Sequence, residues 1–169
     1  MEKNKKILIL EGGKNEEHEV SLKTSREIKK ALGKLKIEYK SIKVDPNNFE
    51  KKIINYKNYI CINALHGPFG EDGEIQKILN KNKIKFTHSS YRSSRNCFDK
   101  HKSKTIISKN KILTPKSILV TKNDLNHEKL NKIKKIFKKF VIKPTKSGSS
   151  FGIKIIKNKK DFRDLINNI

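Results

Sequence analysis

The chain has 169 residues, enough for one domain with a real core, or for one small domain plus part of another. Hydrophobic and charged residues each make up 34% of it, and it has no run of eighteen apolar residues, so a buried core is expected and a transmembrane helix is not. The formal charge of +24 is almost all lysine, spread from end to end with only Arg26, Arg92, Arg95 and Arg163 and no aromatic-interleaved basic stripe, a composition that AT-rich codons produce and that argues against a specific nucleic-acid partner.

Ile7 to Leu10 reads as a buried strand running into the turn Glu11-Gly12-Gly13. Val20, Thr24, Ile28, Ala31, Leu32 and Leu35 then recur at helical spacing, with Gly33 as a C-cap candidate. Tyr39 to Val44 is a second strand, ended by Asp45-Pro46, and Phe49, Ile53 and Ile54 suggest a short helix. Tyr59 to Leu65 is a third strand, bounded by His66-Gly67. Glu71 and Asp72 open a third helix whose apolar face carries Ile75, Ile78 and Leu79. This β-α-β-α-β-α order predicts a parallel sheet flanked by helices, with ligands at the C-terminal ends of the strands.

The polar stretch Ser89 to Ser94 marks a domain boundary near residue 90. Beyond it the pattern predicts a helix over 96–108, a strand over 116–120 and a basic amphipathic helix over 125–137. A hairpin of Phe140–Lys143 and Ile153–Lys157 follows, and a last helix begins at Asp161. This second unit is α+β and incomplete, with few layers to cover its sheet. The four-residue apolar segment near the N-terminus is too short for a signal-peptide core, and Cys61 and Cys97 form no metal-ligand spacing. Both features fit a reducing, cytoplasmic setting without a membrane.

Four segments concentrate residues with chemistry. Gly12-Gly13 is followed by Glu16-Glu17-His18-Glu19-Val20-Ser21. Acidic residues there suit the positive end of a helix, and a carboxylate is also the natural partner of an ammonium group. Leu65-His66-Gly67 with Gly70-Glu71-Asp72-Gly73 and Gln76 places an imidazole at the mouth of a parallel sheet. Asp99-Lys100 is unspecific by itself. In the hairpin, Ser147-Gly148-Ser149-Ser150 with Gly152 forms a tip of little side-chain bulk next to Lys143. Read alone, that loop fits an ordinary polar hairpin. Its backbone N–H groups and hydroxyls would also cradle phosphate, although it lacks the Gly-Lys-Ser/Thr of a P-loop.

Taken together with Thr114-Pro115 and Lys143-Pro144, these segments resemble the D-alanine:D-alanine ligase family of the ATP-grasp superfamily, in order and separation across essentially the whole chain. The resemblance implies a Rossmann-like substrate domain over residues 1–90, followed over 91–169 by the first part of an ATP-grasp domain. It implies that Glu17 contacts the ammonium of the first D-alanine and that His66 lies near its carboxylate. Lys100 and Lys143 would contact ATP phosphates. Ser149 would hydrogen-bond to the glutamate as a catalytic partner, and Ser149, Ser150 and Gly152 would bind ATP through the loop. The implied reaction phosphorylates one D-alanine carboxylate from ATP, after which the amine of a second D-alanine attacks the acylphosphate. The product would be D-alanyl-D-alanine for peptidoglycan.

The sequence departs from the family at His88-Ser89, where Gly-Ser is usual, and at Arg95-Asn96, where small apolar residues are common. The family's Mg²⁺ ligands, its oxyanion-binding arginine and the tyrosine partner of the loop serine are expected beyond Ile169, so no metal ligand is assigned within this chain. By itself the chain is expected to be inactive, and the longer enzyme is expected to be a homodimer. The alternatives are another ATP-grasp carboxylate–amine ligase, making D-alanyl-D-lactate or D-alanyl-D-serine, and a non-catalytic remnant that keeps only a binding module.

Overall fold

The computed structural model describes residues 6–121, 126–148 and 152–167. Four strands, β1 (Lys6–Gly12), β2 (Tyr39–Val44), β3 (Tyr59–Asn63) and β4 (Lys85–Phe86), form an all-parallel sheet in the order β2-β1-β3-β4. The crossovers carry α1 (His18–Lys34), α2 (Phe49–Ile53) with a 3-10 turn at Ile54–Tyr56, and α3 (Glu74–Lys81). The apolar run of β1 takes the inner place: Leu8 faces Lys40 of β2 and Cys61 of β3, and Leu10 faces Ile42 and Asn63.

Side chains alternate across a strand, so successive residues of β1 feed two cores. Leu8 and Leu10 pack with Val44, Phe49, Ile53, Cys61, Ile75 and Leu79 on one face. Ile9 packs with Leu32 and Ala64 on the other. Burial in the first of these cores pushes the Cys61 thiol up to about 12, which makes it inert packing.

Helix α1 buries a different stripe from the one its apolar residues predict. Ser21, Ser25 and Leu32 are buried, whereas Val20, Ala31 and Leu35 are exposed. Hydrogen bonds explain the inversion. Ser21 Oγ accepts from the Gly12 N–H at 2.8 Å, and the Ser25 hydroxyl donates to Glu11 Oε2. Lys29 Nζ reaches the same carboxylate at 2.7 Å and 3.0 Å. Burial raises the Glu11 pKa, but the Lys29 and Ser25 hydrogen bonds outweigh it and hold the carboxyl below its ordinary value.

Helix ends differ from expectation too. Gly33 lies inside α1, and the left-handed position after it is Lys36 (φ 53°). Lys36 N–H donates to Gly33 O and Ile37 N–H to Leu32 O, the paired bonds of a Schellman motif. Lys83 (φ 56°) ends α3 in the same way, with Lys83 N–H on Asn80 O and Ile84 N–H on Leu79 O.

Past the sheet come α4 (Tyr91–Phe98), α5 (Lys100–Lys109), α6 (His127–Phe137) and the antiparallel pair β5 (Phe140–Ile142) and β6 (Lys154–Ile156), then α7 (Lys159–Asn167). The single helix predicted over 96–108 is broken at Asp99, whose extended backbone (ψ 103°) caps α5 by accepting from His101 N–H and Lys102 N–H. Those bonds, the Lys102 one first, hold the Asp99 carboxyl below its usual range. Residues 116–120 are not a strand, and no described segment pairs with them. The two-residue β4 was not anticipated, Leu125 lies outside the described residues, and α7 begins two residues earlier than expected. Leu130, Ile133, Ile156, Phe162 and Leu165 form a third core beneath the ribbon, whose other face carries the exposed pair Val141 and Ile155.

Candidate functional site

Parallel neighbours end on the same side of a sheet, so the loops after β1 and β3 open side by side. Asn15 ties them together. Its Nδ2 donates to the carbonyls of His66 (2.9 Å) and Pro68 (3.1 Å), and its Oδ1 accepts from the Glu17 N–H (2.8 Å). Glu17 occupies the N-cap position of α1, but its side chain makes no capping hydrogen bond. The carboxylate is buried and turns towards Gly67 and Gly148. Gly67 has φ +69°, a backbone that favours glycine, and a Cβ there would push on Glu17 Oε2.

His66 is held from two sides. Nε2 shares a 2.8 Å hydrogen bond with Thr24 Oγ1 of α1, and Nδ1 lies 3.7 Å from Glu71 Oε1. Glu71 does not open α3, which starts at Glu74 after a left-handed Gly73. Asp72 closes the intervening turn by accepting from the N–H groups of Phe69 and Glu74. Asn63 Nδ2 and Gln76 Nε2 both donate to the Gly70 carbonyl, at 2.8 Å and 3.0 Å, and so pin the His66–Gly73 loop against the sheet.

The hairpin loop is fastened to the start of α5. Lys100 N–H donates to Thr145 O at 2.9 Å, Lys100 Nζ donates to Ser147 O at 2.6 Å, and Asp99 bridges with Lys146. A cleft of about 580 Å³ results, walled by Thr24, His66 and Glu71 from the sheet domain and by Lys100, Ser147 and Gly148 from the second unit. His88 lines it as well, and burial there pulls its imidazole below the ordinary value, against a backbone hydrogen bond that the ring donates to Asn63.

Of the residues singled out from sequence, His66 and Lys100 stand on the cleft wall, and Glu17 meets the cleft through Gly148. Lys143 is exposed just after β5 and does not line the cleft. Gly152 is left-handed (φ +67°), and a Cβ there would come within 2.8 Å of Pro144 Cγ. Ser149 and Ser150 lie outside the described residues. Among the described residues no group of three His, Cys, Asp or Glu could hold a metal ion.

No protein-family model matches the chain. The D-alanine–D-alanine ligase of Pelagibacter ubique (strain HTCC1062) is 47% identical over 158 residues, which is 89% of this chain and 50% of that protein. The crystal structure of D-alanine–D-alanine ligase from Bacillus anthracis superposes with a TM-score of 0.82 at 32% identity, over 97% of this chain and 53% of that one. The same enzyme complexed with ATP gives a TM-score of 0.76.

This chain is similar to the N-terminal half of D-alanine–D-alanine ligases.

It spans about half the length of the ligases it matches. The likeness gives the fold as a parallel α/β domain followed by part of the ATP-grasp unit of these ligases. Two residues of the site were not singled out from sequence: Asn15, which ties the two loops together, and Thr24, which holds the His66 ring. Thr24 had a usable signal, since it lies seven residues after Glu17 and two helical turns place both on one face of α1.

Proposed function

We propose that this chain carries the first-substrate site and the phosphate clasp of an ATP-dependent D-alanine–D-alanine ligase that acts in the cytoplasm for peptidoglycan synthesis. Residues 1–90 would form the substrate domain and 91–169 the first part of the ATP-grasp domain, in an enzyme that is a homodimer at full length. The observation that carries this reading is the meeting of the Glu17, His66 and Lys100 segments with the hairpin loop at one cleft. The B. anthracis ligase of like fold is described complexed with ATP, which supports ATP as the phosphate-bearing substrate.

In this reading Glu17 accepts from the ammonium of D-alanine. A buried carboxylate next to two glycine loops suits a small ligand with a compact positive charge. His66, oriented by Thr24 and Glu71, donates to the ligand carboxylate. Lys100 and Lys143 neutralise phosphate charge, and Ser149, Ser150 and Gly152 supply donors in the clasp. Holding an amino acid beside a nucleotide is catalysis by positioning and charge neutralisation. A bound Mg²⁺ would add to that neutralisation, but among the described residues no group of His, Cys, Asp or Glu fits it.

The test joins this chain to the C-terminal half of a relative and measures Michaelis constants. Glu17→Gln is expected to raise the D-alanine constant roughly ten- to a hundred-fold, since a charge-assisted hydrogen bond is worth about 1.5–3 kcal/mol. The ATP constant should hardly move. Lys143→Met should reverse the pattern. An unchanged D-alanine constant with a raised ATP constant in Glu17→Gln would return Glu17 to a capping role.

A further inference from the structure

Asn15 commits its whole side-chain amide to the two loops that carry Glu17 and His66. Nδ2 donates to two carbonyls of the loop after β3, at 2.9 Å to His66 O and 3.1 Å to Pro68 O, while Oδ1 accepts from the Glu17 N–H at 2.8 Å. The residue between those carbonyls is Gly67, whose own carbonyl accepts from the Glu71 N–H at 2.9 Å. Sliding the loop by one residue would therefore break the bonds to all three carbonyls. Gly67 is also where the two loops touch. A Cβ there would lie 3.4 Å from Asn15 Nδ2 and would press on Glu17 Oε2. The Glu17 carboxylate thus sits against the backbone of the residue that follows His66. An amide with its donors and its acceptor all in use holds its rotamer firmly, since rotation forfeits every bond at once.

We propose that Asn15 is a positioning residue that sets the gap between Glu17 and His66 to the span of an α-amino acid. The role rests on the reading in which Glu17 takes the ammonium of the amino acid and His66 its carboxylate. In an α-amino acid one carbon separates the two charged groups, and in a β-amino acid two carbons do. A gap held by the Asn15 hydrogen bonds meets only one of those spans at full strength. Fixed placement is what turns two charge contacts into selectivity, because the wrong span leaves one charge imperfectly paired. A slack gap would still bind zwitterions, by closing on either. Asn15 touches neither charged group of the ligand in this scheme and acts through the backbone at Glu17 and His66.

D-Alanine and β-alanine test this on the 169-residue chain, because they are isomers of equal charge that differ chiefly in that span. The readout is the His66 ring signal in the NMR spectrum of the histidine-labelled chain, assigned by its loss in His66→Gln. In the wild type, D-alanine should move that signal with a dissociation constant at least about ten-fold below that of β-alanine. Asn15→Ala should bring the two constants to within about two-fold, by weakening D-alanine more than β-alanine. Asn15→Asp keeps the acceptor for the Glu17 N–H but sets an anionic oxygen against the His66 and Pro68 carbonyls. It too should lose the preference, and any extra pull of its charge on the ammonium is common to both amino acids and cancels in the ratio. An unchanged ratio in either variant overturns the positioning role. So does loss of slow amide exchange in β1 in both variants, which would make Asn15 a folding residue. Glu17→Gln separates this role from the reading beneath it, and should weaken both amino acids alike. If it does so while the Asn15 variants keep the wild-type ratio, the positioning role falls and the ammonium reading stands. If D-alanine binds Glu17→Gln as it binds the wild type, or leaves the wild-type His66 signal unmoved, the ammonium reading falls and takes the positioning role with it.

Discussion

The two units of this chain solve the burial problem differently. The first places its inner strand between two cores, so that Leu8 and Ile9, adjacent in sequence, are both fully buried on opposite faces. The second lays a two-stranded ribbon over one core of five buried residues and leaves Val141 and Ile155 exposed on the other face. A parallel sheet has to be covered on both faces, whereas a ribbon can survive half-covered but adds little stability of its own. The cleft is walled by residues of both units, and Lys100 holds the hairpin loop at its edge through Ser147 O.

The sharpest way to break that contrast is to empty each core in turn. Leu8→Ala should cost about 2–5 kcal/mol and abolish slow amide exchange throughout β1 and β3. Ile156→Ala should release β5, β6 and α7 while the β1 amides keep their protection. Equal loss of β1 protection in both variants, followed by hydrogen-exchange mass spectrometry, would show one cooperative unit instead of two.

A smaller effect separates the units by pH. The Glu11 pKa is depressed in the folded state, so its contribution is present above the unfolded value near 4.5 and is lost as pH falls through the folded value. Urea midpoints of the sheet domain should therefore decline on acidification below about pH 4.5. Lys29→Met, which removes the partner at 2.7 Å, should lower stability at neutral pH by about 1–3 kcal/mol and flatten the acid slope. A slope that survives the substitution would move its origin away from Glu11.

The smallest expected effect is a gain. Lys83→Gly relieves a left-handed lysine at the end of α3 and should raise the sheet domain's stability by about 0.5–1 kcal/mol, read as a higher urea midpoint with an unchanged slope. A lower midpoint would mean that the lysine stem covers apolar surface that glycine cannot.

Much of the stiff unit was legible in the sequence, because its signals are periodic. Tyr39–Val44 is a strand at the boundaries its pattern predicts, and β1 and β3 follow from short apolar runs. What escaped depends on partners distant in the chain. Two residues, Lys85 and Phe86, count as a strand only because Ile60 and Cys61 lie beside them. Ser21 and Ser25 are buried because Gly12 and Glu11 need hydrogen bonds, and apolar periodicity cannot register that need. The 116–120 segment has strand-like residues but no neighbour among the described residues to complete a ladder. Lysines at the left-handed helix ends hid stops that glycine would have announced. In the site, the motif glycines and His66 stood out from spacing. The turning of Glu17 away from its own helix end became visible only when Gly67 and Gly148 were brought against it.

The half-covered ribbon has a consequence for behaviour in solution. Its open face and its two edges, unpaired among the described residues, are the kind of surface on which copies of a chain associate. Here the ribbon is flanked by Lys139, Lys143, Lys154 and Lys157, in a molecule of net charge +24. Mutual repulsion holds neighbouring ribbons apart, and that protection is ionic. It reaches about 10 Å at 0.1 M salt and only about 3 Å at 1 M. The lysine excess thus acts as a colloidal stabiliser, and this protein should be most soluble in dilute buffer and grow turbid as salt is added.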